Sequence, residues 1–229
     1  MTCTTIAVAG TSSEVGKTTL LCSLLRELPA WEAIKMTRGH YRSCGKDPKT
    51  CCVSHLLSDE PVIRSGRDQT YACGKDTGRY WDAGASNVHW VIVTDDQVER
   101  GIGLALDRVK APGVLIEGNS FLKFIDVDFS LLVVSGAPAP MAAKIKGSAR
   151  WALQKASALY VFDQSAETNR SIEIRELLNT RFPSLGLKRT AAIYSASDFP
   201  KLVARVRHIH SARGGVSGTR NKELDHFYV

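Results

Sequence analysis

The chain has 229 residues, 44% of them hydrophobic, and a formal net charge of +7. That is enough for one α/β domain with ample core, and no apolar run approaches the roughly 20 residues that cross a bilayer. The basic balance suits anionic ligands; no recognition motif with interleaved aromatics accompanies it, so the charge is read as phosphate chemistry plus a basic tail and not as a nucleic-acid surface.

No charged-then-apolar leader precedes the first strand, and the expectation is a cytoplasmic protein. Residues 4–9 form a short β-branched run. The stretch Gly10-Thr11-Ser12-Ser13-Glu14-Val15-Gly16-Lys17-Thr18-Thr19 follows, and Leu20 to Arg26 continues as a helix. Strand, glycine loop, helix is the setting of a phosphate-binding loop. Glycines let backbone N–H groups approach phosphate oxygens, and the helix start faces the anion with its unpaired N–H groups. Lys17 is expected to reach the β- and γ-phosphates, Thr18 to offer its hydroxyl to Mg²⁺, and Thr19 to add a phosphate contact. Gly10, Ser13, Glu14, Val15 and Gly16 complete the expected nucleotide contacts. Five residues separate Gly10 from Gly16, one more than the usual spacing. Glu14 places a negative charge inside the loop, where it either contacts Mg²⁺ or a cationic partner or points to solvent.

Residues 31–36 read as a second strand carrying Lys35, which could add charge over the phosphates or bind a second anionic substrate. Residues 37–79 lose periodicity and gain Gly, Pro, Cys and charge, and form a functional excursion too long for an ordinary connection. A helical piece is expected at 79–85 and a buried strand at 88–93. A helix spans 97–109, with Val98, Ile102, Leu106 and Val109 on one face and Asp95 or Asp96 as its cap. A strand at 113–118 ends in Glu117, read as a second nucleotide-site carboxylate that coordinates Mg²⁺ or orients a water. Further strands are expected at 129–134, 159–162 and 190–194, with helices at about 141–156, 171–180 and 199–210.

Strands alternating with helices and reading as continuous apolar runs predict an α/β fold: a three-layer parallel sheet with helices on both faces. Ligands on such sheets bind at the carboxyl ends of strands. Residues 1–210 are expected to form one P-loop NTPase domain, with a basic C-terminal tail at 211–229 that is loose or docked on a partner.

Of six cysteines, Cys3 and Cys22 fall in or beside the first strand and helix, where buried thiols are usual. Cys44, Cys51, Cys52 and Cys73, with His40 and His55 nearby, offer soft ligands for Zn²⁺ or an iron–sulfur site. Their spacing matches no common signature, and a local disulfide or unligated thiols are the competing readings.

The segment Gly74-Lys75-Asp76-Thr77-Gly78-Arg79 followed by Ala83-Gly84-Ala85 resembles a signature of the molybdopterin-guanine dinucleotide biosynthesis adaptor (MobB-type) family. The Gly-Lys-Thr-Thr loop, Lys35 with His40, and the Glu117-Gly118 strand end fit the same pattern in the same order over about the first 120 residues. The resemblance implies a SIMIBI-class, guanine-nucleotide-binding P-loop protein, often dimeric, that serves molybdenum cofactor maturation. It implies that Lys17, Thr18, Asp76 and Glu117 carry phosphate and Mg²⁺ contacts, and that Lys75 and Arg79 approach phosphate or a pterin ligand. GTP is slightly favoured over ATP, although the Asn-Lys-x-Asp guanine motif is absent; Asp163 or the segment from Ser195 to Asp198 could bracket a purine.

The phosphate loop is also similar to that of dethiobiotin synthetase, in which Glu14, Lys17, Thr18, Lys35 and Glu117 have positional counterparts. That resemblance implies an ATP-dependent ligase. Two departures count against it: Lys35-Met36 replaces a Lys-Pro, and Glu117-Gly118-Asn119-Ser120-Phe121 replaces a glycine-rich loop. A metal-delivery module with nucleotide as its switch is the third expectation.

Overall fold

Buried stretches rich in apolar residues, broken by polar ones such as Lys35 and His89, form the middle of the sheet. In the computed structural model, which describes residues 3–40, 53–135, 147–162 and 191–218, these stretches are β1 (Thr4–Gly10), β2 (Glu32–Arg38), β4 (Val88–Val93), β5 (Gly113–Glu117), β6 (Phe129–Ser135) and β7 (Ala158–Phe162). With β3 (Val62–Ser65) and β8 (Ala192–Tyr194) they make one sheet in the order β3-β4-β2-β5-β1-β6-β7-β8. Every pairing is parallel except β3 with β4.

Alternate side chains of each central strand feed two separate cores. Ile6 and Val8 of β1 pack on one face with Leu20, Leu21, Leu24 and Leu25 of α1 (Lys17–Glu27), Tyr80 of α3 (Asp76–Asp82) and Leu202 and Val206 of a C-terminal helix. Ala7 and Ala9 point to the other face, with Val98, Ile102 and Ala105 of α4 (Val98–Leu106) and Ala152 and Leu153 of α5 (Gly147–Gln154). Helices therefore cover both faces, and the expected three-layer α/β fold is the one observed.

Three local expectations need correction. Residues 37–79 are not wholly irregular, since β3 and a one-turn helix, α2 (Arg67–Thr70), lie within them. β3 is half-buried and antiparallel at the sheet edge, so neither a continuous apolar run nor strict alternation marks it. Its edge carbonyl at Ile63 is taken by the Arg108 guanidinium at 2.9 Å. Neither Asp95 nor Asp96 caps α4: Asp95 pairs with Arg38 at 2.8 Å and Asp96 accepts from the Thr94 hydroxyl. The last described helix, α6 (Phe199–Gly218), runs past residue 210. His210 reaches the Thr4 hydroxyl at 2.9 Å and Arg213 pairs with Asp128, which also accepts the Thr5 N–H. Arg213 thus ties the helix to the sheet beyond residue 210. The expected helix at 171–180 and the start of the one at 141 lie outside the described residues.

The amino ends of the strands are tied by a buried polar chain. His89 and Glu32 are 0% and 3% exposed, and Nε2 of the one lies 2.7 Å from Oε2 of the other. His89 Nδ1 meets the Ser65 hydroxyl at 2.8 Å, and Glu32 Oε1 accepts the N–H groups of Lys110 and Ala111. Burial pushes the Glu32 carboxyl up, but the His89 and backbone hydrogen bonds outweigh it and hold it below its ordinary value. Glu32→Ala is expected to cost about 3–5 kcal/mol in urea denaturation at pH 7, because it strands His89 and two N–H groups. The wild-type contribution is full above the ordinary carboxylate pKa and is lost as pH falls through the lowered one. The wild-type advantage over Glu32→Ala therefore shrinks in acid; an advantage independent of pH would contradict this.

Candidate functional site

The phosphate loop leaves β1 at Gly10 and enters α1 at Lys17. Two glycines are required here by space and by conformation. A Cβ on Gly10 would lie 2.7 Å from Val15 Cγ1 and 2.8 Å from Lys17 Cδ. Gly16 has φ +96°, and a Cβ there would lie 2.7 Å from Phe162 Cγ. Glu14 also takes a left-handed conformation, φ 59°, with its side chain exposed. No side chain caps α1 and no acidic residue lies in its first turn, so its N-terminal N–H groups remain oriented for an anion. Lys17 Nζ donates to the Ser12 carbonyl at 2.7 Å, which folds it back over the loop.

Three further elements close on this loop. Lys35 and Glu117 are register partners on β2 and β5, and Asp76 begins α3. The Lys35 ammonium lies 2.5 Å from Asp76 Oδ2 and 2.6 Å from Glu117 Oε1. The other oxygens of the two carboxylates flank the Thr18 hydroxyl, at 3.1 Å for Asp76 Oδ1 and 2.9 Å for Glu117 Oε2. The fully buried Tyr80 hydroxyl also donates to Glu117 Oε2. Burial alone would lower the Lys35 pKa, but the Glu117 and Asp76 carboxylates raise it above the ordinary lysine value. Asp76, raised by burial, is held below its ordinary value mainly by Lys35. Burial first, and then Glu117, push the Tyr80 hydroxyl well up, so it stays a donor.

A hydroxyl has one proton, yet Thr18 Oγ1 sits against two carboxylate oxygens. Oxygens from Thr18, Asp76 and Glu117 gathered in this way are a hard donor set that fits Mg²⁺. They stand at one wall of a cavity of about 610 Å³, whose other walls are Ser13, Glu14, Gly16, Lys17, Thr19, Lys35 and Arg79. Arg79 donates to the Thr19 hydroxyl at 3.3 Å.

Most residues expected at the site therefore line one cavity. Val15 is the loop's apolar anchor in the core, and Gly10 sits behind the loop. Lys75 is exposed just ahead of α3 and is not on the cavity wall. His40 lines a separate cavity of about 490 Å³ with Asp59, Asp95 and Asp96. Ser195 and Asp198 are engaged as the reciprocal cap of a short helical turn, Ala196–Asp198, that leads into α6. Cys73 is exposed and free, whereas Cys44, Cys51, Cys52 and Asp163 lie outside the described residues. Among the described residues, no three His, Cys, Asp or Glu side chains form a metal-ligand group.

Two contributors were missed in the sequence. Tyr80 lies four residues after Asp76 on α3, hence on the same helix face, and that spacing was an available signal. Asn119 clamps the loop: its amide accepts the Gly10 N–H at 3.0 Å and donates to the Gly10 carbonyl at 2.8 Å. No local pattern announces that pairing across 109 residues. Tyr80→Phe removes a hydrogen bond to a buried carboxylate and is expected to cost about 1.5–3 kcal/mol in urea denaturation. A loss near zero would show that the Tyr80 hydroxyl does not support Glu117.

No family model matches the sequence, and no curated protein matches it. Among solved structures, the chain is similar to HypB from Helicobacter pylori in complex with nickel, with 13% identity, a TM-score of 0.50, and coverage of 99% of this chain and 92% of that one. A plasmid partition protein from Borrelia burgdorferi aligns with a TM-score of 0.42 and 12% identity over 94% of this chain and 100% of that one. Zinc-bound YjiA GTPase from E. coli aligns with a TM-score of 0.39 and 13% identity over 85% of this chain and 57% of that one. With its phosphate loop at the end of β1 and a carboxylate at the end of the adjacent β5, the chain has the fold of a P-loop NTPase of the SIMIBI type.

Proposed function

We propose that this chain is a Mg²⁺-dependent nucleoside triphosphatase, with GTP favoured over ATP, that assists maturation of the molybdenum cofactor or a related metal-containing cofactor. One observation carries the reading. The segment that resembles the molybdopterin-guanine dinucleotide adaptors is built into the phosphate-loop site, since its Asp76 reaches the Thr18 hydroxyl and the Lys35 ammonium. A pterin ligand, a homodimer and a cytoplasmic location belong to the same reading. Among the described residues no helix is long and apolar enough to cross a membrane.

The chemistry follows from the positions. The N–H groups of the loop and of the start of α1 bind phosphate oxygens, and Lys17 offsets charge on the terminal phosphoryl group. Thr18, Asp76 and Glu117 would hold Mg²⁺, which when bound supplies charge neutralisation at the phosphates. Glu117 and Asp76 also orient the attacking water. Attack of that water on the terminal phosphorus breaks the bond to the bridging oxygen and yields the diphosphate and inorganic phosphate. Arg79, bonded to Thr19, adds positive charge at the cavity wall.

The ligase reading loses support at the strand end. Asn119 is committed to Gly10, and Phe121 is fully buried in a short turn of helix. That arrangement does not supply a glycine-rich cradle for a small substrate. A metal-delivery module with nucleotide as its switch is favoured by one feature, the exposed Cys73 thiol three residues ahead of Asp76.

Calorimetric titration of GTP and ATP, with and without Mg²⁺, tests the main reading. Tight binding is expected only with Mg²⁺, and Lys17→Ala is expected to weaken it by at least about 100-fold, as loss of a charged contact to phosphate does. Unchanged affinity in Lys17→Ala would overturn the reading. Anaerobic metal analysis separates the second reading: stoichiometric metal that is lost in Cys73→Ser supports delivery, and metal-free wild type removes it.

A further inference from the structure

Lys35 neutralises the same two carboxylates that a divalent cation beside Thr18 would use. Its ammonium touches one oxygen of each carboxylate, and the other oxygen of each faces Thr18. The group is buried on one side and open on the other: the Lys35 side chain is 18% exposed and that of Glu117 3%, whereas that of Asp76 is 40% exposed. Asp76, Glu117 and Lys35 together carry one net negative charge. Adding a divalent cation to the Thr18-facing oxygens of these carboxylates while the ammonium stays on the others would crowd two cations onto two carboxylates at close range, where repulsion in a half-buried site is large. Removing the ammonium first would instead leave two carboxylates side by side with no cation between them.

We infer that Lys35 is a placeholder cation that holds Asp76 and Glu117 ready and exchanges with Mg²⁺ when the metal enters. The inference rests on the proposed Mg²⁺ role of Thr18, Asp76 and Glu117. Before exchange, Lys35 keeps the carboxylates in place and makes the empty site a poor binder of metal alone. On exchange, Lys35 leaves at least one carboxylate, and its ammonium turns into the cavity that it already lines beside Lys17 and Arg79. There it meets anionic oxygen, that of the terminal phosphate or of a second substrate. A metal that arrives with phosphate therefore displaces Lys35 more readily than a metal that arrives alone, because phosphate gives the displaced ammonium a new partner.

The test uses no nucleotide, so its failure is separate from a failure of the nucleotide reading. Mn²⁺ alone is titrated into wild type, Lys35→Gln and Lys35→Arg, and free Mn²⁺ is followed by electron paramagnetic resonance. Lys35→Gln is expected to bind Mn²⁺ at least about tenfold more tightly than wild type, because its carboxylates are no longer neutralised. Lys35→Arg, which keeps the charge, is expected to stay near wild type. Mn²⁺ should also raise the melting temperature of Lys35→Gln more than that of wild type. Equal or weaker Mn²⁺ binding by folded Lys35→Gln would overturn the exchange. Should Lys35→Gln fail to fold, the ¹⁵N resonance of the Lys35 ammonium in wild type decides. A shift on saturation with Mg²⁺ alone supports exchange, and an unchanged signal contradicts it.

Discussion

A buried carboxylate at the end of a central strand is the constraint on which the rest of the structure depends. Glu117 is 2% exposed, so its charge must be paired to be tolerated there. Its partners come from three other segments: Lys35 from β2, Thr18 from α1 and Tyr80 from α3. Satisfying one charge thus fixes where the phosphate loop ends, where α3 packs and which side chain of β2 faces the site. The parallel register does the coarse positioning, with Glu117 beside Lys35 on one flank and Val8 on the other. The site lies at the carboxyl ends of the strands, while the Glu32–His89 chain ties the opposite ends.

The phosphate loop is held from behind as well. Asn119 uses both its amide oxygen and its amide NH₂ on the backbone of Gly10, and Gly16 lies against the Phe162 ring. Asn119, two residues after Glu117, therefore braces the loop and does not receive a substrate. That division of labour leaves the strand end as a brace for the phosphate loop. It also explains why wording shared with a small-molecule ligase in the loop itself does not extend to the strand end that follows it.

Much of this was legible before the structure. The buried strands announced themselves as largely apolar runs, and Gly10 to Thr19, set between a strand and a helix, marked the phosphate loop. Lys35 and Glu117 were found because strand ends in parallel sheets carry ligands. Asp76 was found only through a resemblance, because nothing in its local pattern says that a helix start 58 residues from Thr18 will meet it. β3 was not found, since a four-residue edge strand that is half-buried leaves no periodic trace. The continuation of α6 past residue 210 escaped because Gly-rich, charged sequence reads as loose until a partner such as Asp128 is placed opposite Arg213. Asn119 acts through a long-range contact that only folding creates, whereas the four-residue spacing of Tyr80 from Asp76 was there to be read.

The assignment of Thr18, Asp76 and Glu117 as one Mg²⁺–nucleotide site is tested most directly by anomalous diffraction from crystals grown with Mn²⁺ and a non-hydrolysable GTP analogue. The expected result is one strong peak beside Thr18 Oγ1, between the Asp76 and Glu117 carboxylates, with the nucleotide phosphates over residues 10–19. A peak elsewhere, or nucleotide bound with no metal against these residues, would contradict the assignment.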